Sequence, residues 1–481
     1  MHFKKVINAL SFSIGLAMAG NALAAPTLVN AVTIPGNAVD KSKGTGANEN
    51  RLGGFFSDLY YDRKQEKYFA LPDRGPGGGT IGYDTRVQKF DIKIDERTGG
   101  IKSVYLDKTI KLKRQDGVAF NGLRPDLDPL NGNQAVLGRS FDSEGLVVGK
   151  NKRFYISDEY GPSVREFNKK GVQLREFTTP DNLLPRNSLS SLDFVNGRST
   201  VNNNGTIVRG RQDNRGFEGV AMTPDGKTLY AVLQDPLVNE GSQNDGRRSR
   251  NVRIVGFDVA TGLPTKQFIY QLEAIAEINA RIPAANAFSA TNQGRSIGLS
   301  AIIAINQNEF LVLERDNRGI GVDPATLLPI GSKRLFKINI AAATDVSALS
   351  LANTDTLPAG VVPVAKSLYF DMAAALTAKG LPIPEKLEGI TIGPRLKDGS
   401  YALLIGTDND FSVTQDATTN VQSDVCIDNA GGSVNVPIDT PCPAGKALVP
   451  TWLYAIKADA LDYVAPDRGD DDDDDDERDD D

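Results

Sequence analysis

The sequence predicts an all-β fold, a β-propeller of five to six four-stranded blades with long inserted loops and a few short helices. Three observations lead there. Short apolar alternations bounded by Gly, Asn, Asp and Pro run along the chain, with few long stretches of helical period. One two-strand unit recurs at irregular intervals, and each copy ends in acidic residues. Each copy is also followed by a further strand-like run, so one more outer strand completes a blade.

The clearest copy runs from Gly216-Phe217-Glu218-Gly219-Val220 through the turn Pro224-Asp225-Gly226 to Leu229-Tyr230-Ala231-Val232-Leu233, and ends at Asp235. Proline presets one turn angle there and glycine accepts positive φ, which makes the hairpin. Four segments match it. They run from Gly53-Gly54-Phe55 to Asp73, from Ser143-Glu144-Gly145 to Asp158-Glu159, from Ile297-Gly298-Leu299 to Glu314-Arg315-Asp316, and from Leu387-Glu388-Gly389 to Asp408-Asn409-Asp410. A sixth blade has room in 110–140 or 345–380. Tyr270 to Ile282 and Met372 to Lys379 read as helices on the loops. The propeller is expected to occupy residues 27–465 as one domain.

Both ends of the chain read differently from this body. Lys4 and Lys5, an apolar run and Ala22-Leu23-Ala24 form an export signal over residues 1–24, with cleavage after Ala24. The only histidine, His2, leaves with it, which excludes Ser-His-Asp triads, histidine nucleophiles and His-ligated zinc from the mature chain. Residues 466–481 form an acidic tail that cannot bury apolar surface and is expected to be disordered. That tail outweighs the whole net charge of −7, so the body is close to neutral and nucleic acid is not an expected partner. No later segment is long and apolar enough to span a bilayer, and a monomer in the periplasm or outside the cell is expected. Cys426 and Cys442 lie in a loop-like stretch and suit a disulfide in an oxidising compartment.

In a propeller the first strand of each blade lines the central channel, so Glu144, Glu218 and Glu388 converge at one mouth. The second strand returns to the same end and brings its terminal acids, among them Glu314, Asp408 and Asp410. Crowded carboxylates repel and need cations. Calcium, which takes six to eight oxygens, suits Glu144, Glu218, Glu388 and Asp408. Arginines are interleaved with the acids: Arg74, Arg215, Arg295 and Arg318 suit a carboxylate or phosphate through the guanidinium fork. Asp410 or Glu314 would then orient or deprotonate a water.

These dispersed motifs, the Glu-Gly strand, Asp158-Glu159-Tyr160-Gly161 and Asp408-Asn409-Asp410-Phe411, resemble the exported bacterial family called phytase-like, or "esterase-like activity of phytase", from about Leu52 to Ile456. The resemblance implies a propeller and a hydrolase of phosphate or carboxylic esters. Phe217 to Asp235 is more distantly similar to calcium-dependent gluconolactonase-type propellers, in which a channel-mouth Glu and Asp hold the metal. The expectation is an exported, metal-assisted hydrolase of a small-molecule ester, phosphate esters foremost. Its alternatives are a non-catalytic calcium-stabilised binding module and a sugar lactonase.

Overall fold

In the computed structural model, which describes residues 25–128, 133–195, 206–292, 296–323, 327–416, 419, 421–428, 431–459 and 461–467, the five hairpins form the inner halves of five four-stranded sheets. The export signal, most of the acidic tail and Arg295 lie outside the described residues.

Blade 1 holds Asp58–Asp62, Lys67–Leu71, Arg86–Ile94 and Ile101–Lys111, and blade 2 holds Ser143–Val148, Phe154–Asp158, Ser163–Phe167 and Gln173–Glu176. Blade 3 is built from Phe217–Met222, Thr228–Leu233, Asn251–Asp258 and Pro264–Gln271; blade 4 from Ile297–Ala304, Glu309–Asp316, Lys333–Asn339 and Ala365–Asp371. Blade 5 takes Lys386–Arg395, Tyr401–Asp408 and Thr451–Ala458 from the end of the chain and its outermost strand, Thr27–Ile34, from the beginning. The first strand of each blade contacts that of the next, and Lys386–Arg395 contacts Asp58–Asp62, so the five first strands follow one another in a closed cycle.

Burial explains which strands are apolar. First strands such as Ser143–Val148 are buried along their whole length between neighbouring blades, so apart from the channel residue, here Glu144, their sequence is small or apolar. Fourth strands such as Ile101–Lys111 are largely exposed and carry lysines. The stretch 345–380, considered for a sixth blade, supplies instead the fourth strand of blade 4 and the helix Met372–Ala378, capped by Asp371 Oδ1 accepting from the Ala374 N–H at 3.0 Å. The other expected helix is shorter than its pattern, Ile275–Asn279, because Tyr270 and Gln271 belong to blade 3.

Strands Val413–Gln415, Gln422–Ile427, Ser433–Pro437 and Ala447–Leu448 form a separate small sheet inserted between the second and third strands of blade 5. Buried Arg51 holds it to the N-terminal stretch through Asp424 at 2.5 Å, Asp439 at 2.8 Å and the Phe411 carbonyl at 3.1 Å. Cys426 and Cys442 are bridged within this sheet, 16 residues apart. Closing a loop of about that length stabilises by roughly 3 kcal/mol. Reduction is therefore expected to lower the urea midpoint of the insert, read against an oxidised control.

The glycine after each channel glutamate meets a packing demand. A Cβ on Gly145 would stand 2.6 Å from the Val220 amide nitrogen of blade 3, one on Gly219 2.9 Å from the Ile302 nitrogen of blade 4, and one on Gly389 2.8 Å from the Phe56 carbonyl oxygen beside blade 1. The obstacles are backbone and cannot rotate away. Gly219→Val is expected to cost about 2–3 kcal/mol, seen as a lower urea midpoint; an unchanged midpoint would show that the strands can part there.

Candidate metal and ester site

Irregular register aims the glutamates into the channel. In blades 2, 3 and 5 the pairing of first and second strands shifts across Glu144, Glu218 and Glu388, and in blade 4 it shifts across Ser300. A bulge of this kind turns its extra residue away from the regular pleat. Four blades thus present a bulge residue at one level, three glutamates and one serine.

The acids that end the second strands do a second job. Asp73, Asp158, Asp316 and Asp408 each accept the N–H of the residue two places on, namely Gly75, Tyr160, Arg318 and Asp410, which fixes the turn leaving the strand. Asp158 and Asp316 are consumed by such bonds: Asp158 also takes the Asp142 N–H, and Asp316 the Gly331 and Ser332 N–H groups. Asp73 and Asp408 remain directed at the channel mouth.

Among the described residues, three trios of acids place one oxygen each within 4.8 Å of one another: Glu144, Glu159 and Glu218; Asp73, Asp142 and Glu144; and Asp73, Asp408 and Asp410. The trios share Glu144 and Asp73 and so form one continuous acidic patch over blades 5, 1, 2 and 3. Glu388 stands apart from the trios, since Arg315 donates to it and, at 2.8 Å, to Ser300 Oγ. Other cations lie within the patch. Arg74 donates to Asp142 at 2.7 Å and lies 3.5 Å from Glu159, while Lys386 lies 2.9 Å from Asp408 and 2.5 Å from Asp410. Arg215 is 3.4 Å from Asp235 and keeps 31% of its side chain exposed at the rim.

Carboxyls still outnumber cations, and the titration reflects it. Burial, then the Glu388 charge, pushes Glu218 up to about 8. Burial and Asp410 push Asp408 up to about 8 against the pull of Lys386. Burial and the neighbouring acids hold Asp73, Glu144 and Glu159 well above the usual carboxylate range. The decisive atom is Glu218 Oε2. Glu218 is 3% exposed, its Oε1 takes the Gln234 amide, and Oε2 is buried with no hydrogen-bond partner in the trio with Glu144 and Glu159. An oxygen left that way is costly unless a cation meets it. The donor set is all oxygen and fits a hard divalent ion such as calcium.

Two residues expected at the mouth lie elsewhere. Glu314 sits two residues before the turn acid, on the strand face packed against blade 3; there Tyr270 Oη donates to it at 2.8 Å, Lys366 Nζ at 2.6 Å and the Glu273 N–H at 2.7 Å. It staples blades, with both carboxylate oxygens taken up by protein donors. Arg318 donates to the Pro329 and Asn286 carbonyls, both at 2.7 Å, with its guanidinium 3.6 Å from the Phe288 ring centre, so it fastens a loop instead of facing a substrate. Conversely, Asp142 and Lys386 belong to the patch without having been singled out. Each stands two residues before its bulge glutamate, at the entrance to the first strand, which brings it to the same channel mouth.

A family model described as phytase-like, "esterase-like activity of phytase", matches residues 50–411. A secreted protein of Arthroderma benhamiae, described as uncharacterized, is 29% identical over 338 residues, covering 60% of this chain; the chain spans 63% of that relative's length. Among solved structures, a luciferin-regenerating enzyme aligns over 91% of this chain and 98% of its own at 9% identity and a TM-score of 0.31. Virginiamycin B lyase from Staphylococcus aureus aligns over 89% and 99% at 8% identity and a TM-score of 0.30. Those two likenesses are too distant to carry an argument. The family match spans well over half of the sequence, and the chain belongs to the phytase-like family.

Proposed function

We propose that the chain is an exported, metal-assisted hydrolase of small-molecule esters, phosphate esters foremost, working at the acidic channel mouth. The observation that carries this reading is the buried, unpartnered Glu218 Oε2 beside Glu144 and Glu159. Those three residues would hold the ion, with Asp73 and Asp142 adjoining. Calcium bound there would supply Lewis acidity and orient a water. Asp408 and Glu388, named with them from the sequence, act through Lys386 and Arg315 and set the charge of the surroundings.

Asp410 is 24% exposed and lies at the solvent edge of the patch, where it can orient a water or take its proton. Arg215, exposed at the rim, and Arg74 bind the anionic oxygens of the ester. The family description supports ester chemistry, and the export signal together with the secreted relative supports export to the periplasm or beyond. No helix among the described residues is long and apolar enough to cross a membrane.

One observation favours a second reading, a calcium-stabilised propeller that binds without turnover. The mouth carboxyls are nearly all buried, and the pocket between Arg215, Gln234, Ser300 and Arg315 measures only about 20 Å³. The mature chain assayed on a generic phosphomonoester, a short acyl ester and a sugar lactone, each with calcium and with a chelator, separates these readings. Calcium-dependent turnover of an ester supports the hydrolase, and turnover of the lactone alone supports the lactonase. A calcium-raised melting temperature without turnover of any of them sinks the enzyme.

A further inference from the structure

Below the acidic ring the channel changes character. Leu146, Val220, Ile302 and Ile390, two places after the bulge residues, line a cavity of about 140 Å³ that runs toward Pro224 and the last described stretch at Asp467. Blade 1 interrupts this apolar lining with Asp58, which is 3% exposed, while the other charged lining residues, Arg63, Lys150 and Asp467, stand at the far end, past the ends of the first strands of blades 1 and 2. Asp58 Oδ1 accepts the Leu59 N–H at 2.8 Å and Oδ2 the Leu146 N–H at 2.7 Å. No described lysine or arginine pairs with it, and burial pushes its carboxyl up to about 8.

We propose that this lower half of the channel binds a small organic ammonium, its charged head on Asp58 and its compact apolar body among Val220, Ile302 and Ile390. A cavity of about 150 Å³ accommodates a benzene-sized molecule. An anion would meet only the carboxyl's oxygens, and a neutral hydrocarbon would leave the buried acid protonated, whereas an ammonium lets it ionise and pairs with the charge. A bare metal ion wants at least six oxygens, and the walls offer mainly side-chain carbon. The site is distinct from the metal reading above: Asp58 lies in the layer where the glycines press the first strands together, its carbonyl carbon 2.9 Å from where a Cβ on Gly389 would stand, and the cavity opens on the side away from the acidic trios.

The test is calorimetric titration of the mature chain, in excess calcium so that the acidic mouth is occupied, with benzylammonium and with its neutral isostere benzyl alcohol. The ammonium is expected to bind at least tenfold more tightly than the alcohol. Asp58→Asn should erase that preference, and Val220→Phe, which fills the cavity, should abolish binding of both. No ammonium binding, equal affinities in the unaltered protein, or undiminished binding to Val220→Phe would each overturn the proposal. Should Asp58→Asn fail to fold, the ligand comparison and Val220→Phe decide alone.

Discussion

Glu218→Gln is expected to remove the response to calcium while leaving the metal-free protein more stable than the parent. Both effects come from one atom. Glu218 Oε2 is buried, unpartnered and crowded by Glu144 and Glu159, so an amide there relieves repulsion when no ion is present and withdraws a ligand when one is. In chelator at pH 8 the variant should melt several degrees higher. In calcium its shift should shrink toward zero, and ester turnover should fall by at least about 100-fold. Melting curves with and without calcium, alongside initial rates, read all three. A variant destabilised equally in both conditions would make Glu218 an ordinary structural acid.

The metal-free protein is expected to lose stability as pH rises, opposite to the behaviour of an acid held by an ion pair. Glu218 and Asp408 titrate near 8 in the folded chain, far above their ordinary values of 4.5 and 3.8. Between those limits the folded state binds more protons than the unfolded one, so the contribution of these two groups to stability is full below about pH 4 and drains away as pH climbs through 8. Each group contributes up to about 1.4 kcal/mol per pH unit within that window, and because the acids interact their contributions do not simply add. Calcium binds the ionised forms, so its stabilisation should grow over the same range. Urea midpoints from pH 5 to pH 9, in chelator and in calcium, should diverge with pH; parallel curves would contradict the account.

The inner hairpins were legible because burial on both faces forces continuous apolar runs such as Gly219-Val220-Ala221-Met222, and because their turns need Pro and Gly. Fourth strands were faint for the converse reason, since Ile101–Lys111 faces solvent and follows no core pattern. The first strand of blade 1 was displaced: it runs Asp58–Asp62, while Gly53 to Phe56 forms a buried approach, Phe55 and Phe56 being fully covered. The insert escaped notice because its strands are short and its outer strand, Ser433–Pro437, is exposed.

At the site, Glu144 and Glu218 were readable from the repeated Glu-Gly pair, since the glycine reports close backbone approach. Glu314 was misleading because it shares the acidic ending of its neighbours and, two residues before Asp316, the same strand face, yet Tyr270, Glu273 and Lys366 close over it. Only three-dimensional packing shows which acid on such a face a neighbour covers. Asp142 and Lys386 were within reach by counting two residues back from each bulge glutamate.

The most direct measurement is anomalous diffraction from crystals of the mature chain grown in calcium. One strong peak is predicted between Glu144, Glu159 and Glu218, with carboxylate oxygens at about 2.3–2.6 Å including Glu218 Oε2. A map with no ion there, and with Glu218 Oε2 bonded instead to water or a guanidinium, would contradict the account.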